Sequence, residues 1–219
     1  MKFDTETELI DVLRATLKGS YSRKGVSIFE EVSLGYGVAD MVLSIIDEDL
    51  MQDNLEKEEL TACDINIYNL IAKKAQIDLL QILNITRSSK TQIKGSLNKL
   101  INNGYIVLSD NSYSISKTYE FPFELTYAIE AKLKDWKRAL KQAYRYKWFA
   151  EYSYVVLDEC TSRSAKNNIH LFKRYNIGLA TINKVVELKR YYKPVIQKPF
   201  DVKMQMLLCE KIIRNSAVC

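Results

Sequence analysis

The sequence predicts an α/β domain whose two parts are separated by an inserted helical module. Two short, almost wholly apolar segments, YSYVVLDE and IGLATIN, are typical of strands buried on both faces of a sheet. Amphipathic helical segments separate these predicted strands, and the composition and periodicity change between about residues 60 and 120. We therefore expect residues 1–50 and 121–219 to form one discontinuous domain around a separate module at residues 55–118.

The first part begins with a predicted helix over residues 5–18, in which Leu9, Leu13 and Leu17 share one face. The following segment, SIFEEVSLGYGVADMVLSIID, has the β-branched content of two strands, and Gly35 and Gly37 indicate a tight turn between them. The acidic stretch IIDEDLMQDNLEKEEL is interpreted as a link out of this part.

The central module is predicted to contain three helices and a hairpin. Helical spacing marks residues 63–74 and 78–83, and Thr86 is expected to cap a third helix that ends at Asn103-Gly104. The alternation around Asp110-Asn111 is that of a hairpin. The expected buried face of the third helix consists of Ile93, Leu97, Leu100 and Ile101.

The last part alternates between strands and helices. FELTYAIEAKL is a predicted strand, DWKRALKQAYRYKWFAEY and SRSAKNNIHLFKRYN are each predicted to be helical, and KVVELKRYYKPVIQKPF indicates an edge hairpin. The segment VKMQMLLCEKIIRN returns to helical spacing.

The composition excludes several classes of protein. The four cysteines have no CxxC spacing and the chain has one histidine, so a structural zinc site is not expected, and the cysteines are interpreted as mostly buried thiols. The formal charge of +5 is too small to indicate nucleic acid by itself. The first residues, MKFDTETELIDVL, are acidic and lack the apolar core of a signal peptide, and no apolar run approaches the roughly 18 residues of a membrane helix. A cytoplasmic protein without membrane contact is the expectation.

Three residues have the chemistry of a phosphodiester-cleaving site: Asp40 in GVADMVL, and Glu130 and Lys132 in YAIEAKLK. Two carboxylates can hold Mg²⁺ through oxygen ligands, and the cation then polarises the phosphate and activates a water. A neighbouring lysine can orient that water or stabilise developing charge. In a strand, Glu130 and Lys132 point to the same face because side chains alternate.

The spacing of these residues also predicts where the two carboxylates lie. If the strands that contain Asp40 and Glu130 pair antiparallel, their offsets from the strand ends place the two residues nearly opposite each other. The inserted module then leaves the hairpin roughly 20 Å away, at about 3.4 Å per residue. Such an insertion would not disturb the site.

The order of these elements resembles the PD-(D/E)xK, or restriction-endonuclease-like, nuclease superfamily. Its members carry an acidic residue, an ExK segment and often a QAxxY helix. The resemblance covers roughly residues 5–48 and 121–185, and one departure is Ala39, which replaces the proline that usually precedes the aspartate. The matching positions are Asp40, Glu130 and Lys132, Gln142 with Tyr146, and Glu8 for an extra acid of some members.

The central module resembles a winged helix-turn-helix. No acidic residue occurs in residues 86–103, and such a third helix enters the DNA major groove in related modules. The residues expected near DNA are Arg87, Ser88, Ser89, Lys90, Gln92 and Lys94. The alternative is a winged helix that binds protein and has a solvated basic face. Lys189, Arg190 and Lys193 are a further candidate contact to phosphate.

Together, the two resemblances imply a restriction-endonuclease-like mixed sheet flanked by helices, with an inserted winged-helix (α+β) domain. The function implied is a DNA endonuclease that depends on Mg²⁺ (or Mn²⁺). Asp40 and Glu130 would be the metal ligands, Lys132 the catalytic lysine, Gln142 a supporting group and Tyr146 a brace. Double-strand cutting by one site per chain would favour a homodimer. Two alternatives stay open: a catalytically inactive DNA-binding regulator, and a protein-interaction scaffold that does not bind DNA.

Overall fold

The computed structural model describes residues 1–21, 26–35 and 37–216, without the side chains of residues 215 and 216. The chain divides into two compact units. Unit 1 consists of Met1–Asp47 and Phe123–Gln205, and unit 2 of Glu48–Pro122 and Met206–Cys219. From the sequence we expected all of residues 121–219 in the same domain as residues 1–50. In the structure, the segment from Met206 onward belongs to unit 2 instead.

The described helices and strands follow one another along the chain. The helices are α1 (Glu6–Tyr21), α2 (Glu48–Leu55), α3 (Ala62–Lys74), α4 (Leu79–Thr86), α5 (Lys90–Asn102), α6 (Trp136–Tyr146), α7 (Arg163–Asn167), α8 (Ile169–Tyr175) and α9 (Val202–Ser216). The strands are β1 (Val26–Ser33), β2 (Val38–Ile46), β3 (Ile77–Asp78), β4 (Ile106–Ser109), β5 (Ser112–Ile115), β6 (Phe123–Lys132), β7 (Tyr152–Asp158), β8 (Gly178–Ile182) and β9 (Leu188–Tyr192).

Unit 1 contains a mixed six-stranded sheet with the order β1-β2-β6-β7-β8-β9. The pairs β1/β2, β2/β6 and β8/β9 are antiparallel, whereas β6/β7 and β7/β8 are parallel. Helix α6 connects β6 to β7, as a parallel pair requires. The α/β class and the mixed sheet flanked by helices are thereby confirmed, and β7 and β8 occupy the central positions that their apolar sequences predict.

The core of unit 1 lies between α1 and one face of the sheet. Leu9, Leu13 and Leu17 of α1 are buried against strand residues that include Met41 and Ile129. Ala131 belongs to the same cluster, so this residue points to the α1 face and Glu130 to the opposite face. Helix α6 packs on that opposite face, against β2, β6 and β7.

Unit 2 combines helices with a small antiparallel sheet of the order β3-β5-β4. Strands β4 and β5 form the predicted hairpin, in which Asp110 and Asn111 both adopt positive φ values, 48° and 61°. Positive φ at both central residues is the requirement of a tight hairpin turn. Gly104, with φ of 75°, follows α5 as the sequence predicts.

Several local predictions were wrong. Thr86 ends α4, and Ser89 caps α5 by accepting a hydrogen bond from the amide of Gln92 at 3.2 Å. Ile101 is 38% exposed and not part of the buried face of α5. The acidic link contains helix α2, the single helix expected before β8 is divided at Asn168 into α7 and α8, and β9 is a single edge strand rather than a hairpin.

The cysteines are less uniform than expected. Cys209 is buried, Cys63 is half-buried and Cys160 is exposed, and none of the three is in a disulfide within the described residues. Cys219 lies outside the described residues. None of the described helices is both long enough and apolar enough to cross a bilayer.

Candidate functional site

Asp40 and Glu130 lie side by side on neighbouring antiparallel strands. Met41 pairs with Ile129 in the antiparallel register. Asp40 precedes Met41 in β2 and Glu130 follows Ile129 in β6, so the two residues lie opposite each other. The amide of Ala131 donates a hydrogen bond of 2.7 Å to Asp40 Oδ2, which fixes that carboxylate against β6. The strand pairing and offset predicted from the sequence are therefore present.

Lys132 connects Glu130 to Glu6 at the N-terminus of α1. Its ammonium lies 3.2 Å from Glu130 Oε1 and donates a hydrogen bond of 3.0 Å to Glu6 Oε2. Burial alone would lower the pKa of Lys132, but the hydrogen bond to Glu6 and the charges of the two carboxylates raise it above its ordinary value. Lys132 therefore stays charged.

Tyr146 of α6 contacts the second oxygen of Glu130. Its hydroxyl lies within hydrogen-bonding distance of Glu130 Oε2 and 2.7 Å from the carbonyl oxygen of Val38. A hydroxyl has one hydrogen, and the carbonyl can only accept. The single hydrogen of Tyr146 is therefore shared between Glu130 Oε2 and the Val38 carbonyl, unless a protonated Glu130 supplies a second hydrogen.

The electrostatics of the site raise the pKa values of both carboxyl groups. Burial raises the pKa of Glu130, and the neighbouring charge of Asp40 raises it further, against the lowering effect of Tyr146 and Lys132. Burial also raises the pKa of Asp40, against the hydrogen bond from the Ala131 amide. Two carboxyl groups this close and this buried disfavour the doubly ionised state.

Gln142 lies one helical turn before Tyr146 on α6, so both side chains are on the same face of that helix. Its Oε1 is buried and accepts no hydrogen bond from the described part of the chain. Glu130 Oε1 is likewise buried, and its neighbour is the ammonium of Lys132 at 3.2 Å. Two acceptor atoms with unused capacity therefore lie on the α6 side of the sheet.

Glu8 does not take part in this site. Its carboxylate pairs with Lys184 at 2.8 Å and accepts a hydrogen bond from the Asp4 amide, and the contact with Lys184 lowers the pKa of Glu8. Glu6 is the residue of α1 that reaches Lys132. Residues two apart on a helix point roughly 200° apart, so only one of the two can face this end of the sheet.

Glu31 of β1 is a second acidic neighbour that sequence reasoning missed. It follows Glu30, which pairs with Met41, and precedes Val32, which pairs with Ala39, so it lies opposite Asp40. Its charge contributes to the raised pKa of Asp40. Glu31 also has a φ of 49°, a left-handed backbone that costs a non-glycine residue of order 1–3 kcal/mol.

The donor set suits a cation that keeps part of its water. Within residues 1–21, 26–35 and 37–216, no group of three or more His, Cys, Asp and Glu side chains forms a metal cage. Mg²⁺ is commonly held by one or two carboxylates plus substrate phosphate, so Asp40 and Glu130 fit it. The Oε1 of Glu130 is a suitable ligand atom. Because Glu130 is 0% exposed and Lys132 lies beside it, a cation would have to displace the Lys132 ammonium to reach it.

The predicted DNA-contacting residues surround the N-terminus of α5 in unit 2. Lys90, Gln92 and Lys94 are exposed, as is Arg87, which adopts a left-handed backbone after α4. Ser88 is half-buried, and the exposed Ser89 uses its oxygen to cap the helix. These side chains form a basic surface, named here the α5 surface, that consists of Arg87, Lys90, Gln92 and Lys94.

Lys99, another basic residue of α5, does not belong to the α5 surface. Its ammonium lies 2.8 Å from the carboxylate of Asp64, which is 2% exposed, and it donates to the carbonyl oxygen of Glu59 at 2.9 Å. Burial opposes ionisation of Asp64, but hydrogen bonds from Lys99, Ser96 and Thr61 hold its pKa below the ordinary value. Lys99 thus stabilises the packing of α5 on α3.

None of the protein-family models, curated proteins or solved structures with which the chain was compared matches it.

Proposed function

We propose that the protein is a DNA endonuclease that depends on Mg²⁺ or Mn²⁺. The observation that carries the proposal is the convergence of two carboxyl groups and a lysine at one point of a mixed sheet: Asp40 and Glu130 are neighbours, and Lys132 contacts Glu130 at 3.2 Å. This set, with Tyr146 behind it, resembles the site of the PD-(D/E)xK nucleases.

In this proposal Asp40 and Glu130 hold the cation and Lys132 acts on the reacting groups. A bound divalent cation supplies an activated water and polarises the phosphate. Glu130 would hold the cation through the Oε1 of its ionised carboxylate. Lys132, held by its hydrogen bond with Glu6, would orient water or stabilise the phosphate.

Tyr146 and Gln142 are positioning residues in this proposal. The hydroxyl of Tyr146 holds Glu130 Oε2, which leaves Oε1 to turn toward a cation. Its contact with the Val38 carbonyl ties α6 to the start of β2, two residues before Asp40. Gln142 contributes a buried acceptor that suits a bound water.

We further propose that unit 2 is a winged helix that holds the DNA duplex. The element order α3-β3-α4-α5-β4-β5 and the antiparallel sheet β3-β5-β4 support this assignment. The α5 surface supports a role in DNA binding, because exposed cations next to a helix N-terminus can contact phosphate while Gln92 reaches base edges.

The test is cleavage together with metal binding. Native protein is incubated with plasmid, branched and single-stranded DNA in Mg²⁺ or Mn²⁺, beside Asp40→Asn, Glu130→Gln and Lys132→Ala. Each variant should lose cleavage, whereas Lys132→Ala should still bind metal in calorimetry because the lysine is not a ligand. Cleavage that survives Asp40→Asn would exclude this site.

The second candidate function is an inactive nuclease-like protein that binds DNA. The observation that favours it is the burial of Glu130, which is 0% exposed and has neighbours at both carboxyl oxygens. Such a carboxyl group could serve only the packing of α6. In that case the chain binds DNA through the α5 surface but shows no calorimetric signal for Mg²⁺ or Mn²⁺ and cleaves no substrate.

A further inference from the structure

A cavity of about 720 Å³ lies in unit 1 on the α1 face of the sheet, opposite to the face of Glu130. Its apolar floor includes Leu17, Leu43 and Val156. Small-molecule sites commonly measure about 300–1,000 Å³ and combine an apolar lining with a few polar groups. This cavity has such dimensions and shares no residue with the Asp40 and Glu130 site.

The rings of Tyr127 and Tyr154 line one side of the cavity, with centroids 6.5 Å apart and planes tilted 34° from each other. Tyr127 lines it and is stacked on Tyr152 of the neighbouring strand, with ring centroids 4.6 Å apart and planes 9° apart, so the ring is held in one orientation. Tyr154 also lines the cavity. Its ring lies across Gly178 of β8, where an added Cβ would stand 2.1 Å from a ring carbon. The absence of a side chain at residue 178 therefore makes room for Tyr154.

The charged groups of the cavity lining are cationic. Arg190 of β9 and Lys193 line it, and the lining within the described chain contains no aspartate or glutamate. Burial raises the pKa of the Tyr154 hydroxyl, while the nearby Arg190 acts against that increase. Lys189, the next residue of β9, does not line the cavity and pairs with Glu159 at 3.2 Å and with Glu187 at 3.1 Å.

We propose that this cavity binds a nucleoside monophosphate group, with the base against Tyr127 and Tyr154 and the phosphate at Arg190 and Lys193. Planar bases stack on aromatic side chains, and arginine holds phosphate through paired hydrogen bonds. A fatty acid would match the apolar floor and the cations, but it has no planar group to stack on the rings of Tyr127 and Tyr154. The phosphate group comes either from a free nucleotide or from the 5′ end of a DNA strand. The proposal does not depend on the nuclease activity.

The experiment is isothermal titration calorimetry of the full chain with dAMP, without divalent metal. The expected result is saturable binding that weakens as salt increases. Three comparison ligands lack parts of dAMP: deoxyadenosine has no phosphate, deoxyribose 5-phosphate has no base, and decanoate is an acid with an apolar chain and no base. Each should bind at least about tenfold more weakly than dAMP. A 5′-phosphorylated tetranucleotide that competes with dAMP would identify a strand end as a source, and dAMP binding without such competition would identify free nucleotide.

Variants locate the bound group. Arg190→Gln should weaken dAMP binding by about tenfold or more, because it removes a charged hydrogen bond to the phosphate. Tyr127→Leu should weaken it at least about fivefold, because it removes the stacking surface while keeping apolar volume. The matched control is Lys189→Gln, which removes the same charge from the same strand and should leave binding unchanged. Thermal unfolding of each variant confirms that it is folded.

Three outcomes would overturn the proposal. They are the absence of saturable dAMP binding at millimolar concentration, equal binding by native protein and Arg190→Gln, and decanoate or deoxyadenosine binding as tightly as dAMP. Equally tight binding of deoxyadenosine would mean that the cations do not hold a phosphate, and equally tight binding of decanoate would mean that the tyrosine rings do not hold a base.

Discussion

The hydroxyl of Tyr146 contacts Glu130 and a backbone carbonyl at once, so one hydrogen is shared between two acceptors unless Glu130 brings a second. Protonation of Glu130 resolves the shortage, and burial raises the pKa of this carboxyl in the required direction. A proton on Glu130 would have to leave before this carboxyl group could bind a cation.

Replacement of Tyr146 by phenylalanine should destabilise the protein. The change leaves the carbonyl of Val38 and the Oε2 of Glu130 without this partner in a buried place, which costs about 1–3 kcal/mol. Urea unfolding of Tyr146→Phe measures the decrease. Tyr144→Phe is the matched control, because Tyr144 is on the same helix and 42% exposed. Equal stability of the two variants would show that the Tyr146 hydroxyl contributes nothing.

The raised pKa values of Asp40 and Glu130 predict a specific dependence of stability on pH. A carboxyl with a raised folded-state pKa contributes stability that is present below the unfolded pKa of about 4 and is lost as pH rises through the folded pKa. Each unit of pKa increase corresponds to about 1.4 kcal/mol. The native free energy of unfolding should therefore fall from about pH 4 upward by more than that of Glu130→Gln.

Urea unfolding at a series of pH values compares native protein with Glu130→Gln, which cannot ionise at that position. Other carboxyl groups are common to both chains, so the difference between the curves reports Glu130. Mg²⁺ at neutral pH should restore stability to native protein and not to Glu130→Gln, because only the native site gains a ligand. Parallel curves would mean that Glu130 titrates normally.

The pairing of Asp40 with Glu130 could be predicted from the sequence, because the ends of both strands are clear and the side chains of each strand alternate regularly between the two faces. The choice between Glu6 and Glu8 could not, because the rotation of α1 about its axis is set by how Leu9 and Leu13 pack on the sheet. The apolar spacing gives the buried face of that helix but not which end residue reaches Lys132.

The residue that caps α5 and the packing partner of the C-terminal helix could not be predicted from the sequence either. Thr86 and Ser89 both carry hydroxyls before an apolar repeat, and the left-handed backbone of Arg87 places the start of α5 after Ser89 rather than after Thr86. For residues 206–216 the sequence predicts an amphipathic helix but does not indicate which part of the chain its apolar face packs on. Contacts such as the hydrogen bond from the Leu60 amide to Glu210 show that the partner lies in unit 2.

Lys99 should matter for the stability of unit 2 and not for DNA. Lys99→Met removes the cation beside the buried Asp64, and we expect the free energy of unfolding to fall by about 1–3 kcal/mol. Lys94→Met, on the exposed side of the same helix, is the control and should have an effect within about 0.5 kcal/mol. Denaturant unfolding followed by far-ultraviolet circular dichroism decides between them, and a larger effect of Lys94→Met would refute the assignment.

The α5 surface predicts salt-dependent DNA binding. The double substitution of Lys90 and Lys94 by glutamine should weaken duplex binding and reduce the slope of log affinity against log salt by about one for each phosphate that the protein no longer neutralises. The double substitution of Lys73 and Lys74, two exposed lysines at the end of α3, changes the net charge equally and serves as control. If both pairs gave the same slope, DNA would be responding to net charge rather than to the α5 surface.

The most direct test of a metal-dependent site at Asp40 is the nicking of supercoiled plasmid in Mg²⁺, with native protein, Asp40→Asn and Glu8→Gln compared at equal concentration. Glu8 is the matched control, because it is an acid on α1 that pairs with Lys184 and stands outside the site. We expect native protein and Glu8→Gln to nick the plasmid at similar rates, chelation to abolish both, and Asp40→Asn to be slower by about two orders of magnitude or more. Nicking by Asp40→Asn at the native rate would contradict the proposal.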